Sequence, residues 1–281
     1  MKEYGILVDS GCELDSMELP DNTGFEKVPL KIRIGEREFC DDSRIDMEDF
    51  HRTLADYRGK TSSAAPAPGE WAEACRPYEK AIALPITGML SGSCASANAA
   101  VNMLAEEAPE KQVFVLDTLS AGPEISLLAH KAAELIRRKL DFAALREQLC
   151  AYHKKTRLLF VLESVQNLAN NGRVSRIEAK LMQTLRIQLL GRASDEGTLE
   201  PLSKCRGKGR VWQKLLEQMH AEGYRGGRVI ISHCNNPQSA KELRELLLER
   251  FREAKISIMN TKGLTSYYAE NGGVLVGYET V

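Results

Sequence analysis

The sequence predicts an α/β protein of two domains, an N-terminal three-layer domain with a mainly parallel sheet and a C-terminal α/β domain with a mixed sheet. Three observations carry that prediction. Short apolar runs alternate with amphipathic segments at helical spacing along the whole chain. Polar residues fall where several of those runs end, as Asp9-Ser10, Ser91-Gly92-Ser93 and Asp117-Thr118, and an open parallel sheet binds ligands at that edge. The chain has 281 residues, enough for two ordinary cores. A new strand begins just after Arg157, so the domains are placed at 1–156, with a hairpin-containing insertion near 22–58, and at 157–281.

The elements follow in order. Gly5-Ile6-Leu7-Val8-Asp9 reads as a buried parallel strand, and residues 28–34 and 37–40 flank Gly35-Glu36 as a hairpin. Asp46 is placed to cap a helix whose inner face carries Met47, Phe50 and Leu54. Thr61-Ser62-Ser63-Ala64-Ala65-Pro66-Ala67-Pro68 has no apolar period and reads as a loop. A helix near 69–78 and a strand over 81–86 lead to a helix from Ser93 through Leu104, and a strand over 112–117 follows. Ile125, Leu128, Ala132, Leu135 and Ile136 make one helix face, and Asp141 opens the next helix with Phe142, Leu145 and Leu149 inward. The second half continues with a strand over 158–162 and a helix through Leu168 that ends on Asn171-Gly172, a glycine C-cap signature. Helices over 175–185, 209–221 and from Pro237, and strands over 228–232, 256–260 and 274–278, complete the alternation.

Composition excludes several classes of function. The 38 basic and 39 acidic residues leave a formal charge of −1, so no global field favours nucleic acid. No apolar run approaches the ~20 residues of a membrane-spanning helix, and Met1-Lys2-Glu3-Tyr4 leads into a strand rather than a signal peptide. No membrane insertion is expected. The seven cysteines are scattered without a C-x-x-C pair, which suits reduced cytoplasmic thiols. The five histidines show no paired spacing, so no metal and no cofactor are expected. The fingerprints G-x-S-x-G, G-x-x-x-x-G-K-[ST] and G-x-G-x-x-G are all absent. His233 is the one histidine that follows a strand, where a structural role is the ordinary one.

What remains is local anion chemistry. Ser93 sits where it would cap its own helix, and the free N–H groups of that first turn could equally hold a carboxylate or phosphate. Thr61 to Pro68 is either a small-residue linker or the polar head of a pocket, and spacing does not say whether it meets Ser91-Gly92-Ser93. A rival reading is an enzyme acting on a small carboxylate or phosphoester, with Asp9, Ser93 and Asp117 as working groups. No nucleophile–base pair supports it. A third is a DNA-associated regulator, for which 204–210, with Lys204, Arg206 and Lys208, is the only basic run.

Taken in order, Val8-Asp9-Ser10, Val28-Pro29-Leu30, Thr61-Ser62 with its nearby proline, Leu90-Ser91-Gly92-Ser93 with Ala97, Val115-Leu116-Asp117-Thr118 and Asn171-Gly172-Arg173 resemble the DegV family of bacterial fatty acid-binding proteins. The resemblance spans essentially the whole chain. It implies a two-domain carrier that encloses a long-chain fatty acid between its domains, without catalysis of its own. It further implies that a separate ATP-binding fatty acid kinase subunit phosphorylates the bound carboxylate to an acyl phosphate for phospholipid synthesis. By motif match, Thr61 and Ser93 would bond the carboxylate, with Ser62, Ser91 and Gly92 completing the head pocket. Arg173 would sit at the mouth and affect kinase docking. The element reading itself puts Arg173, Lys204, Arg206 and Lys208 on turns of the second domain, where one positive patch would meet an acidic surface of the kinase subunit. The chain departs from the family pattern in one place. Much of the family carries a histidine in its C-terminal glycine-rich segment, whereas residues 263–273 here hold none, and Tyr267 or Tyr268 could supply a hydroxyl instead.

Overall fold

The computed structural model describes residues 1–174 and 187–281, with the backbone alone at Lys208; the helix expected over 175–185 lies outside the described residues. Strand β1 (Lys2–Asp9) pairs in parallel with β2 (Thr23–Val28) and β6 (Tyr78–Leu84), and β7 (Gln112–Val115) joins β6, giving the order β2-β1-β6-β7. The run Ile6-Leu7-Val8 is fully buried because the sheet is covered on both faces. Side chains alternate between those faces. Ile6 and Val8 pack with Ile125 and Leu128, while Leu7 packs with Trp71 and Ala97 on the other side.

A small antiparallel sheet, order β4-β3-β5, stands beside it, built from β3 (Lys31–Ile34), β4 (Arg37–Cys40) and β5 (Thr61–Ala64). Two expectations change here. The apolar stretch 28–34 is not one strand, since Pro29 has no N–H to give a ladder. Val28 ends a strand of the parallel sheet and Lys31 begins one of the antiparallel sheet. The expected Thr61 loop is a strand: β5 pairs with β3, Ile34 against Thr61 and Lys31 against Ala64. Small residues hid it, because a strand of Thr, Ser and Ala carries no hydrophobic alternation.

The second sheet has six strands, order β10-β9-β8-β13-β11-β12. They are β8 (Thr156–Leu162), β9 (Gln188–Ala193), β10 (Leu199–Cys205), β11 (Arg228–His233), β12 (Lys255–Asn260) and β13 (Val274–Glu279). Among the described residues β11 and β12 run parallel and the other neighbours antiparallel, so the sheet is mixed as expected. Strand β10 was not legible: it carries Pro201 at a register shift and only sparse apolar residues.

Among the described residues the helices are, in chain order, α1 (Met47–Asp56), α2 (Pro68–Cys75), α3 (Ser93–Glu107), α4 (Pro123–Arg137), α5 (Phe142–His153), α6 (Gln166–Asn170), α7 (Lys208–Ala221), α8 (Pro237–Arg250) and α9 (Gly263–Ala269). Helix α4 joins the halves, packing on β1 and β6 of one sheet and on β8, β11 and β13 of the other. Eleven of its fifteen residues are buried, Leu127 and Ala133 included, which is the composition of a helix enclosed on all sides rather than along one stripe. Gly277 in β13 permits the approach, since a Cβ there would stand 2.6 Å from the Glu124 nitrogen.

Candidate functional site

The carboxyl edge of the parallel sheet gathers Asp9, Ser93 and Asp117, but its acids serve the backbone. Asp9 is fully buried, and its carboxyl accepts the N–H groups of Gly11 at 2.8 Å and Ile86 at 3.0 Å. Burial pushes it up to about 6, against the lowering influence of the Ser93 hydroxyl and those two N–H groups. Asp117 accepts the N–H groups of Gly88 at 3.2 Å and Leu119 at 3.1 Å and so fixes the turn before Ser91. Ser10 is tied in the same way, accepting from the Leu30 nitrogen at 2.8 Å and donating to the Asp41 carbonyl at 3.1 Å.

Ser93 is not the cap of its helix. Gly92 holds the N-cap position and Ser93 is the first helical residue, while the Ser91 hydroxyl accepts the Ser93 N–H at 3.2 Å. The Ser93 Oγ is buried and has no hydrogen-bond partner among the described residues. Segment 61–68 does meet this turn in space: a Cβ on Gly92 would lie 3.8 Å from that of Ala65.

A narrow cavity of about 80 Å³ runs between the two halves. Leu30, Ile86 and Leu90 line it from the first, Phe160, Leu162 and Leu275 from the second. Its few polar lining residues include Ser63, Ser91, Arg173 and Tyr268. Three of these form a cross-domain set. The Ser63 and Tyr268 hydroxyls share a hydrogen bond of 2.8 Å, and the Arg173 guanidinium lies 5.7 Å from the Tyr268 ring centre. Arg173 also donates to the Leu90 carbonyl at 3.1 Å through both Nε and Nη2, holding the 87–91 turn to the second half. Beside this set, the Thr61 and Tyr267 hydroxyls share a bond of 2.7 Å, and Asn171 Nδ2 donates to the Tyr267 oxygen at 2.8 Å. Burial raises the Tyr267 hydroxyl above its ordinary value, keeping it protonated. Thr61 faces a separate and more polar cleft, with His51, Arg58 and Glu270.

The structure therefore separates the residues expected at the head of the pocket. Strand alternation puts Thr61 and Ser63 on the inner face and turns Ser62 to solvent, so Ser62 does not reach the cavity and Ser63 does. No hydrogen bond joins Thr61 to Ser93 among the described residues. Arg173 is not on an exposed turn: it is half-buried in the cavity wall, away from the solvated role expected for it. Lys204, at the end of β10, and Arg206 are exposed, and the side chain of Lys208 lies outside the described residues. His233 is buried; its backbone carbonyl accepts the Thr261 N–H at 3.0 Å and its Nδ1 the Asn236 N–H at 3.4 Å. Missed in the sequence were Ser63 and the pairing of the two tyrosines with β5. The tyrosine pair standing where a histidine was expected was the available signal.

Comparison with known proteins agrees with this geometry. The family model described as "Uncharacterised protein, DegV family" matches residues 3–280. A DegV domain-containing protein of Streptococcus pyogenes serotype M1 is 41% identical over 277 residues, 98% of this chain and 99% of the relative. The structure is similar to that of the Streptococcus pneumoniae Fatty Acid Kinase (Fak) B3 protein loaded with linoleic acid, with a TM-score of 0.97 and 38% identity over 99% of this chain and 100% of that one. It is also similar to a DegV family protein of Eubacterium eligens loaded with heptadecanoic acid, with a TM-score of 0.94 and 33% identity over 99% and 100% of the two chains.

Proposed function

The chain belongs to the DegV family, and from that premise we propose that it encloses one long-chain fatty acid between its halves and presents the carboxylate to a separate ATP-dependent kinase subunit for acyl phosphate formation. Residues 1–156 and 157–281 are the two walls in this reading. The observation that carries it is the cavity itself, mostly apolar and lined by both halves of the chain, with hydroxyls and a guanidinium gathered in its wall. At about 0.8 kcal/mol per buried methylene, a tail of roughly fifteen carbons contributes up to ~12 kcal/mol before ordering costs. Head-group bonds contribute less, ~1.5–3 kcal/mol each when charge-assisted.

We assign the carboxylate to the space between β5 and the 91–93 turn. Ser93 brings a buried hydroxyl beside Asp9, Ser63, Ser91 and Tyr268 bring further donors, and Thr61 would have to turn from its bond with Tyr267 to join them. Arg173 supplies the positive charge, a role in ligand binding in addition to docking. Lys204, Arg206 and Lys208 are proposed to meet an acidic surface of the kinase subunit, where charge acts mainly on association rate.

Denaturing extraction followed by mass spectrometry tests the reading, with about one acyl chain expected per polypeptide. A protein that carries no fatty acid and takes none up would overturn it. The kinase step is tested separately by reconstitution with a fatty acid kinase ATP-binding subunit, where acyl phosphate must form only when both proteins are present.

A further inference from the structure

Glu13 lies in the loop that follows β1 and takes no part in the carboxylate end of the cavity. It is 3% exposed. Its Oε2 accepts the Lys262 N–H at 2.9 Å, whereas its Oε1 is buried with no hydrogen-bond partner. An acceptor in that condition is costly to bury, so its surroundings matter. A Cβ on Gly122 would stand 3.4 Å from Oε1 and 3.1 Å from Leu275 Cδ2, and Leu275 lines the cavity. Thr265, whose hydroxyl interacts favourably with the Glu13 carboxylate, lines the cavity too. Thr265 precedes Tyr268 by one turn of α9, so this pair is displaced along the wall from the Ser63–Tyr268 contact by about 4.5 Å of helix axis.

We propose that Glu13 and Thr265 form a second polar station in the wall of the acyl cavity, one that takes a hydroxyl carried on the fatty acid chain, so that the ligands of this protein include hydroxylated fatty acids. The proposal rests on the fatty acid reading given above. Its chemistry is simple. A hydroxyl placed against a wholly apolar wall loses its bonds to water and gains none, so a plain hydrocarbon slot rejects it. Here Thr265 can accept from the ligand hydroxyl while donating to Glu13. Burial pushes the Glu13 carboxyl up to about 7, with the Lys262 N–H, Lys27 and Thr265 lowering it and Asp41 raising it. Near neutral pH the group is therefore present both as an acceptor and as a donor.

The test is a fluorescent displacement assay with stearic acid and a positional series of monohydroxystearic acids. The parent protein is expected to hold at least one isomer within about threefold of stearic acid. Read within each variant, the ratio of the affinity for that isomer to that for stearic acid should fall about tenfold in Thr265→Val and in Glu13→Gln, the loss of one hydrogen bond at a buried site. Thr265→Val is close to isosteric, so the test survives if Glu13→Gln folds poorly. Rejection of every isomer by the parent, or an unchanged ratio in Thr265→Val, would overturn the proposal. Failure of the parent to bind stearic acid at all would instead overturn the fatty acid reading, and this inference with it.

Discussion

Two polar clusters stand on either side of the 91–93 turn in this fold and have opposite uses. Asp9, Ser93 and Asp117 lie at the edge of the parallel sheet, and both acids there are filled by main-chain N–H groups. Ser63, Ser91, Arg173 and Tyr268 lie in the cavity wall, contributed by both halves of the chain. The difference teaches that a carboxylate at a strand end is no evidence of chemistry until its hydrogen bonds are accounted for. Donors facing an apolar space, by contrast, have room for a ligand. Ser93 stands between the two clusters: its buried hydroxyl lies near enough to Asp9 to lower that carboxyl, and it has no other hydrogen-bond partner among the described residues.

The sharpest break between the clusters should come from Asp9→Ala. It strips two buried N–H groups of their acceptor, each worth about 1–3 kcal/mol, offset in part because the acid itself is strained by burial. A destabilisation of about 3 kcal/mol is expected in urea unfolding. Fatty acid affinity, measured where the variant is folded, should stay within about threefold of the parent. A small loss of stability with a large loss of binding would reverse the roles assigned to the clusters.

Arg173→Met probes the other side. If the guanidinium faces the ligand carboxylate, affinity should weaken by ~1.5–3 kcal/mol, the worth of a charge-assisted bond. Salt should weaken the parent but hardly affect the variant. Unchanged affinity with reduced acyl phosphate formation would return Arg173 to a docking role alone.

The comparison extends to two buried glutamates, Glu13 with an unpartnered oxygen and Glu124 bonded by Ser120 at 2.5 Å and Thr156 at 2.7 Å. Burial raises both from 4.5 to about 7. The folded chain therefore keeps two protons that the unfolded chain has already released, and the stability present at acid pH is lost as pH rises through 7. His51, His130, His153 and His233 act in the opposite sense, since burial lowers each from 6.5 and their contribution is lost as pH falls below that value. Around pH 6.5 to 7.5 the two effects oppose each other, because the unfolded histidines are still releasing protons there, so the glutamate contribution is read as a difference: between pH 6.5 and 8 the parent should lose about 0.8 kcal/mol relative to a variant that lacks one of the two carboxyls. Denaturant midpoints across that range check it. Glu124→Gln should therefore gain on the parent as pH rises across that range, and a parent-minus-variant difference that does not change with pH would show that the Glu124 carboxyl does not hold its proton.

Much of this was legible in the sequence, for identifiable reasons. The buried strands announced themselves through Ile6-Leu7-Val8 and Ile82-Ala83-Leu84, and α4 through one face of its period. Its second apolar face, with Leu127 and Ala133, went unread because enclosure between two sheets is a tertiary fact. The DegV motifs led to the Thr61 and Ser91–Ser93 segments, but small hydroxyl residues carry no periodicity, so β5 passed for a loop. The side of that strand facing the cavity followed only once Ile34 was seen opposite Thr61. Arg173 was hidden by the reverse effect: an arginine after a glycine cap normally points to water, and here the Leu90 carbonyl and the Tyr268 ring draw it inward.

That strand alternation supplies the finest test. Ser62 and Ser63 are adjacent and chemically identical, and a sequence motif cannot choose between them. In the structure Ser62 is exposed while Ser63 shares a hydrogen bond with Tyr268 at the cavity wall. Ser62→Ala should change neither stability nor fatty acid affinity by more than about 0.3 kcal/mol, as for other exposed substitutions without a partner. Ser63→Ala should lower affinity by about 1 kcal/mol, the net worth of one neutral hydrogen bond. The two variants, titrated side by side with the same fatty acid, report the register of β5 directly. An equal response, or a larger one at Ser62, would mean that the strand slips by one residue when the ligand is bound, because a one-residue shift exchanges its two faces.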